Sequence, residues 1–223
     1  MYGFFLFFYT IALFAHEQII LVVAEDMNRS DAKLYTLEKR NDRFIEVFAP
    51  FDVNLGRNGL GWGIGIESLD EYPKKREGDG RAPAGVFALP SAFGYERNIT
   101  TKLPYMQATN DLLCIDDTTS ESYNKIVRAT DKKRYKSFEQ MLREDDLYSY
   151  GIVVAHNQEG IKGRGSCIFL HVQKSQNAPT AGCTSMPKER LSQLLRWLDP
   201  KKEPILIQIP ASHIAVAKRY GVK

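Results

Sequence analysis

Short apolar runs and alternating apolar positions dominate the chain, which is the pattern of strands. Ile19-Ile20-Leu21-Val22-Val23 is a continuous run of strand length. Lys33 to Glu38 and Phe44 to Phe48 flank the turn pair Asn41-Asp42, so this stretch predicts a hairpin. Further strands are expected at Gly85 to Leu89, Tyr105 to Ala108, Gly151 to Ala155 and Ser166 to Val172. Near the end, Ile205, Ile207 and Ile209 alternate as a last strand.

Two stretches carry a helical period instead. From about Ser120 to Tyr150 the chain is polar, with Tyr123, Ile126 and Val127 on one possible face and Phe138, Met141 and Leu142 on another. This predicts a side helix or insertion without an obvious reactive group. Leu191, Leu194, Leu195 and Leu198 fall at i, i+3, i+4 and i+7, Pro187 stands where a first turn begins, and Asp199-Pro200 ends the helix. No repeat or low-complexity linker divides the chain. The expectation is one mainly β (α+β) domain, a single antiparallel β-sandwich or barrel-like fold with peripheral helices; a parallel βαβ plan fits poorly.

Composition narrows the function classes. With 223 residues, 43% hydrophobic and 26% charged, the chain can bury a sizeable core and is neither disordered nor coiled coil. A net charge of +3 with scattered Lys and Arg gives no electrostatic footprint for nucleic acid. The opening MYGFFLFFYTIALFA is uncharged, and its apolar run is too short to span a bilayer comfortably. It reads as the core of a signal peptide cut after Ala15, leaving residues 16–223 as one domain with no membrane span; an uncleaved anchor or a buried first strand are the alternatives, since the basic leading region is missing. Export places the protein in the periplasm or cell envelope. There Cys114 and Cys167 have two readings: a disulfide that leaves Cys183 as the odd thiol, or two small buried side chains.

Several chemistries lack their residues. Gly59-Leu60-Gly61-Trp62-Gly63-Ile64-Gly65 is glycine-rich without the dinucleotide spacing, and no GK[ST] follows a glycine loop. Four histidines without C-x-x-C or H-E-x-x-H give no metal site, and no cofactor is expected.

The informative stretch is Ser166-Cys167-Ile168-Phe169-Leu170-His171-Val172, then a polar loop, then Thr180-Ala181-Gly182-Cys183-Thr184-Ser185-Met186. A cysteine nucleophile reacts as thiolate, which a neighbouring imidazole can generate and a helix N-terminus can stabilise. Cys183 lies four residues before Pro187, and the loop from His171 can fold back to it. Small residues at Ala181 and Gly182 would let backbone amides converge on an oxyanion. His156, in Val153-Val154-Ala155-His156-Asn157, either lines the cleft or closes a turn. Arg81 is either a bidentate donor to a substrate carboxylate or a solvated surface residue. A rival dyad pairs Cys183 with His213, but it lacks the papain-type motif.

His171 followed by Thr180-Ala181-Gly182-Cys183 resembles the L,D-transpeptidase catalytic domain family, whose mark is a strand-ending histidine and a later [ST]-x-G-C element. Gly78 to Phe87 resembles the T-P-x-G-x-F element of the same family, with Ala82 in place of the threonine; Gly56-Arg57-Asn58-Gly59 and Cys114-Ile115-Asp116-Asp117 look like a subgroup of it. The resemblance, from about Asn54 to Pro210, implies that Cys183 is acylated, that His171 is its base, and that the amides of Ala181, Gly182 and Cys183, supported by Thr180, receive the oxyanion. It further implies that the Val172 carbonyl orients the imidazole, and that the partner is a peptidoglycan stem tetrapeptide cut between diaminopimelate and D-Ala. Ala181 and Ser185 depart from the basic or amide side chains of many members, and the loop is short, which implies an open rim. With water as acceptor the same dyad is an L,D-carboxypeptidase or amidase. Without chemistry the fold is a wall-binding module.

Overall fold

The computed structural model describes residues 16–67 and 69–223; the expected signal peptide and the cut after Ala15 lie outside them. The apolar run at Ile19 becomes β1 (Gln18–Ala24), antiparallel to β2 (Asp31–Arg40). β2 turns at Asn41-Asp42 into β3 (Arg43–Glu46), and both turn residues take positive φ, 48° and 59°, as the two-residue hairpin turn requires. β4 (Phe51–Asn54) pairs with β2 on its other side. β5 (Leu60–Trp62) and β6 (Ala82–Ala88) make one edge of the sheet, and β7 (Ala92–Gly94) and β8 (Tyr105–Gln107) the other.

A separate sheet follows, with β9 (Leu112–Cys114) between β10 (Ile126–Arg128) and β11 (Glu139–Gln140). The main sheet resumes with β12 (Tyr150–Val153), β13 (Phe169–Val172) and β14 (Thr184–Met186), then α1 (Lys188–Trp197), β15 (Ile205–Pro210) and the short α2 (Ala215–Arg219). Its twelve strands run in the order β5-β6-β15-β1-β2-β4-β14-β13-β12-β7-β8, with β3 added on β2. The fold is mainly β, as expected. The sheet is mixed rather than purely antiparallel: β1 with β15, β13 with β14, β5 with β6 and β7 with β8 are parallel.

The helix expected between Ser120 and Tyr150 is not there. Among the described residues this stretch holds β10, β11 and two single turns, Lys132–Arg134 and Asp146–Tyr148, each begun by an Asp side chain that accepts from the backbone. Asp131 and Asp145 favour such turns over a continuing helix. The short strands β10 and β11, of three and two residues, then find their pairing on β9, where Leu113, Ile115, Ala129 and Tyr135 bury one small core.

α1 has the expected apolar stripe, and Leu191, Leu194 and Leu195 are buried against the main core. At about 1.5–3 kcal/mol per buried leucine, this packing rather than propensity holds the helix. β15 is buried at every position although only its isoleucines alternate. Gln208 is tolerated there because Thr184 Oγ1 donates to its Oε1 at 2.7 Å and its Nε2 donates to the Pro83 carbonyl at 2.8 Å. The glycine-rich stretch serves close packing: a Cβ on Gly65 would lie 2.2 Å from the Val86 carbonyl oxygen.

Candidate active site

Strand register alone brings the two reactive side chains together. β13 and β14 are parallel with His171 opposite Ser185, and Cys183 lies two residues before Ser185, so the side chains of 171, 183 and 185 share one face. The other face, with Leu170, Val172 and Met186, belongs to the main core. The reactive face joins a second core with Phe93, Tyr148, Phe169 and the two half-cystines. Cys183 and His171 both open on a cleft of about 470 Å³.

Thr180 builds the turn that presents the sulfur. Its Oγ1 donates to the Cys183 carbonyl at 2.6 Å and accepts the Gly182 N–H at 3.1 Å, while its own N–H donates to the Leu55 carbonyl at 2.9 Å. Gly182 has φ +156°, and a Cβ there would press on the Arg81 carbonyl at 3.2 Å. The sulfur sits beneath this turn, 7% exposed as a residue, accepting from the Phe169 N–H at 3.4 Å and facing the Cys167 carbonyl at 3.5 Å. Cys167 is bonded to Cys114, which resolves the two readings of that pair in favour of the disulfide and leaves Cys183 as the free thiol.

His171 Nδ1 lies 2.8 Å from the Val172 carbonyl. A ring that donates there carries its proton on Nδ1 and keeps Nε2 as a base. Tyr148 packs edge-on against the imidazole at 5.4 Å between centroids. Burial pulls the imidazole down to about 4, against the Val172 carbonyl, which favours its protonation. Burial pushes the Cys183 thiol up to about 12, with the negative charge of Glu139 adding and Lys75 opposing. The resting pair is therefore neutral thiol and neutral imidazole, with no preformed ion pair.

The cleft is lined by charges of both signs. Arg57, Lys75, Arg143 and Lys174 line it together with Glu77, Asp116 and Glu139. Lys75 is buried, its Nζ donating to Asp79 Oδ1 at 2.7 Å and to the Arg76 carbonyl at 2.6 Å. Glu77 Oε2 accepts from Ser166 Oγ at 2.7 Å and from the Tyr123 hydroxyl. Among the described residues no group of three or more metal-ligating side chains is assembled.

Residues 25–207, most of the chain, match the YkuD family, described as the L,D-transpeptidase catalytic domain. The chain belongs to that family. Membership places its function in peptidoglycan. Comparison with curated proteins and with solved structures returned no match.

Within this L,D-transpeptidase domain, several expected residues take other positions. His156 does not line the cleft of Cys183: its Nδ1 accepts from the Ile64 N–H at 3.2 Å and its Nε2 meets the Arg164 carbonyl at 2.9 Å, so both ring nitrogens close loops. Burial holds that ring down, at about 4, as a neutral staple. Arg81 also turns away, donating to the carbonyls of Leu60 at 2.8 Å and Met27 at 3.1 Å. These backbone bonds occupy the guanidinium that was a candidate for a substrate carboxylate. His213 packs on Trp62 at 4.9 Å and meets Glu71 at 2.9 Å, outside the cleft, which removes the rival dyad.

The helix N-terminus expected to stabilise the thiolate is also out of reach. β14 separates Cys183 from α1 as extended chain, about 3.3 Å per residue, whereas a helix dipole acts within about one turn. Glu139, Arg143, Leu147 and Tyr148 also line the cleft, and the polar pattern between Ser120 and Tyr150 carries no local signal that brings them there. Glu77, just before the Gly78 to Phe87 element, carries no such signal either. No local spacing ties any of these residues to Cys183.

Proposed function

We propose that this domain is a cysteine acyltransferase that acts on peptidoglycan stem tetrapeptides, with Cys183 as nucleophile and His171 as general base. The observation that carries the reading is the shared strand face, which opens both side chains on one cleft. As the sulfur attacks the carbonyl between diaminopimelate and D-Ala, His171 Nε2 takes the thiol proton. A neutral resting pair suits this order, since proton and bond move together instead of from a stored thiolate.

The oxyanion falls to the amides of Ala181 and Cys183. Gly182, expected as a third donor, already gives its N–H to Thr180 Oγ1. Collapse breaks the C–N bond, the imidazolium returns its proton to the departing amine of D-Ala, and a thioester remains on Cys183. An acceptor amine attacks that thioester, His171 removes its proton, and the sulfur leaves and is reprotonated. Water in the amine's place gives the carboxypeptidase product from the same thioester. The Cys114–Cys167 disulfide supports a location outside the cytoplasm, in the periplasm or cell envelope.

Incubation with tetrapeptide muropeptides, read by mass spectrometry of products and of intact protein, tests the assignment. Cys183→Ala is expected to abolish turnover, His171→Ala to lower it roughly 10²–10⁴-fold, and His213→Ala to leave it unchanged. Turnover that survives His171→Ala, or is lost in His213→Ala, overturns the dyad. A thiol inert towards iodoacetamide points instead to a noncatalytic wall-binding module.

A further inference from the structure

The stretch between the two half-cystines brings a second polar unit to the reactive face. Tyr148 sets its ring edge against both His171, at 5.4 Å, and Phe169, at 5.6 Å, and its hydroxyl donates to Glu139 Oε2. Glu139, on β11, opens on the same cleft as Cys183. The nearest cation, Arg143, lies over the Tyr148 ring at 5.2 Å but is forked onto Asp145, Nε to Oδ1 at 2.9 Å and Nη2 to Oδ2 at 2.8 Å. Beyond Tyr148 and Arg143, the charged groups that face Glu139 are the acids Asp116 and Glu77. The sulfur feels the acid together with Lys75, which is committed to Asp79.

We propose that Glu139, held by Tyr148, is a positioning residue that governs the proton on Cys183: an ionised carboxylate in the cleft keeps the thiol protonated, and neutralising it eases formation of the thiolate. Tyr148 serves both ends of this unit, since the ring that packs on the base also anchors the acid. Burial pushes the Glu139 carboxyl up to about 7, with Asp116 and Glu77 adding and the Tyr148 hydrogen bond and Arg143 opposing. Its charge thus changes near neutral pH, where an exposed glutamate is already ionised.

The inference rests on Cys183 being the nucleophile, but its test does not need the substrate. Of the three cysteines two are bonded, so iodoacetamide reports on Cys183 alone. Alkylation rates measured from pH 5.5 to 9.5 by intact mass are expected to rise with pH in the wild type but to flatten near pH 7, where Glu139 ionises. Glu139→Gln should remove the flattening and react about tenfold faster at pH 8, since one nearby unit charge that moves a thiol by about one pH unit changes its thiolate fraction about tenfold. Tyr148→Phe keeps the ring and removes the bond that favours ionised Glu139, so the flattening should move to higher pH.

Superposable wild-type and Glu139→Gln profiles overturn the proposal, and so does a Tyr148→Phe inflection that stays in place. If muropeptide turnover proceeds through Cys183 while the profiles superpose, only this inference fails. If the profiles shift as described but no muropeptide is turned over, the acyl-transfer reading fails and the control of the thiol stands.

Discussion

Replacing both half-cystines, Cys114→Ala with Cys167→Ala, tests what holds the floor of the cleft. The bond closes a loop with a sequence separation of 53 residues. Loop-closure entropy for that length is about 14 cal/mol/K, or about 4 kcal/mol at 25 °C, and strain and residual structure bring the usual loss to about 2–5 kcal/mol. Inside the loop, one face of the small sheet buries Leu113, Ile115, Ala129 and Tyr135, and the other packs Leu112, Cys114 and Met141 against Phe93 and Phe169, so the bond ties the sheet to the core beneath the sulfur. Cys167 also holds φ +54°, its N–H donates to Asn124 Oδ1 at 2.9 Å, and its carbonyl faces the Cys183 thiol. Urea denaturation followed by the fluorescence of Trp62 and Trp197, the two tryptophans of the chain, gives the free-energy change. The double variant should lose about 2–4 kcal/mol and, as the floor under the sulfur loosens, muropeptide turnover with it. A loss below about 1 kcal/mol with full turnover would refute the claim that this bond secures the nucleophile.

The remaining predictions concern pH and the hairpin. His156 and His171 are buried neutral with folded values near 4 against an ordinary value of 6.5, so the unfolded chain binds more protons as pH falls from 6.5 towards 4 and stability should drop over that window. Glu139, raised from 4.5 to about 7, acts in the opposite sense between those values, so denaturation midpoints of Glu139→Gln should fall more steeply between pH 6 and 5 than those of the wild type; equal slopes count against the buried, neutral carboxyl. At the turn between β2 and β3, Asp42→Val forces a β-branched residue to φ near 59° and should cost about 1–2 kcal/mol by urea denaturation, whereas Asp42→Gly should cost none of that. Equal midpoints for the two variants would contradict the positive-φ account.

Much of this was legible where the cause is local. The Asn41-Asp42 hairpin, the Leu191 to Leu198 stripe and the run at Ile19 follow from turn chemistry and from periods of 3.6 and 2, and each became the element expected. His171 and the Thr180-Ala181-Gly182-Cys183 element carried the family resemblance because the histidine lies on β13 and the cysteine on the turn that leads into the adjacent β14. The stretch from Ser120 to Tyr150 misled for the same reason: apolar residues at helical spacing are ambiguous when strands are three residues long and turns are begun by Asp side chains. His156 and Arg81 have reactive side chains, but their backbone partners come from distant loops, a commitment that local sequence does not reveal.

The sequence by itself determined the strand-rich class, the family resemblance carried by His171 and Cys183, and the small-residue turn that presents the sulfur. Tertiary structure alone decided which charged residues line the cleft, the bond between Cys114 and Cys167, and the burial that lowers the His171 imidazole and raises the Cys183 thiol. The physical reason is range. A turn or a strand answers to its near neighbours in the chain, whereas the proton affinity of a buried thiol answers to the water removed from it and to charges such as Glu139 that arrive from another sheet.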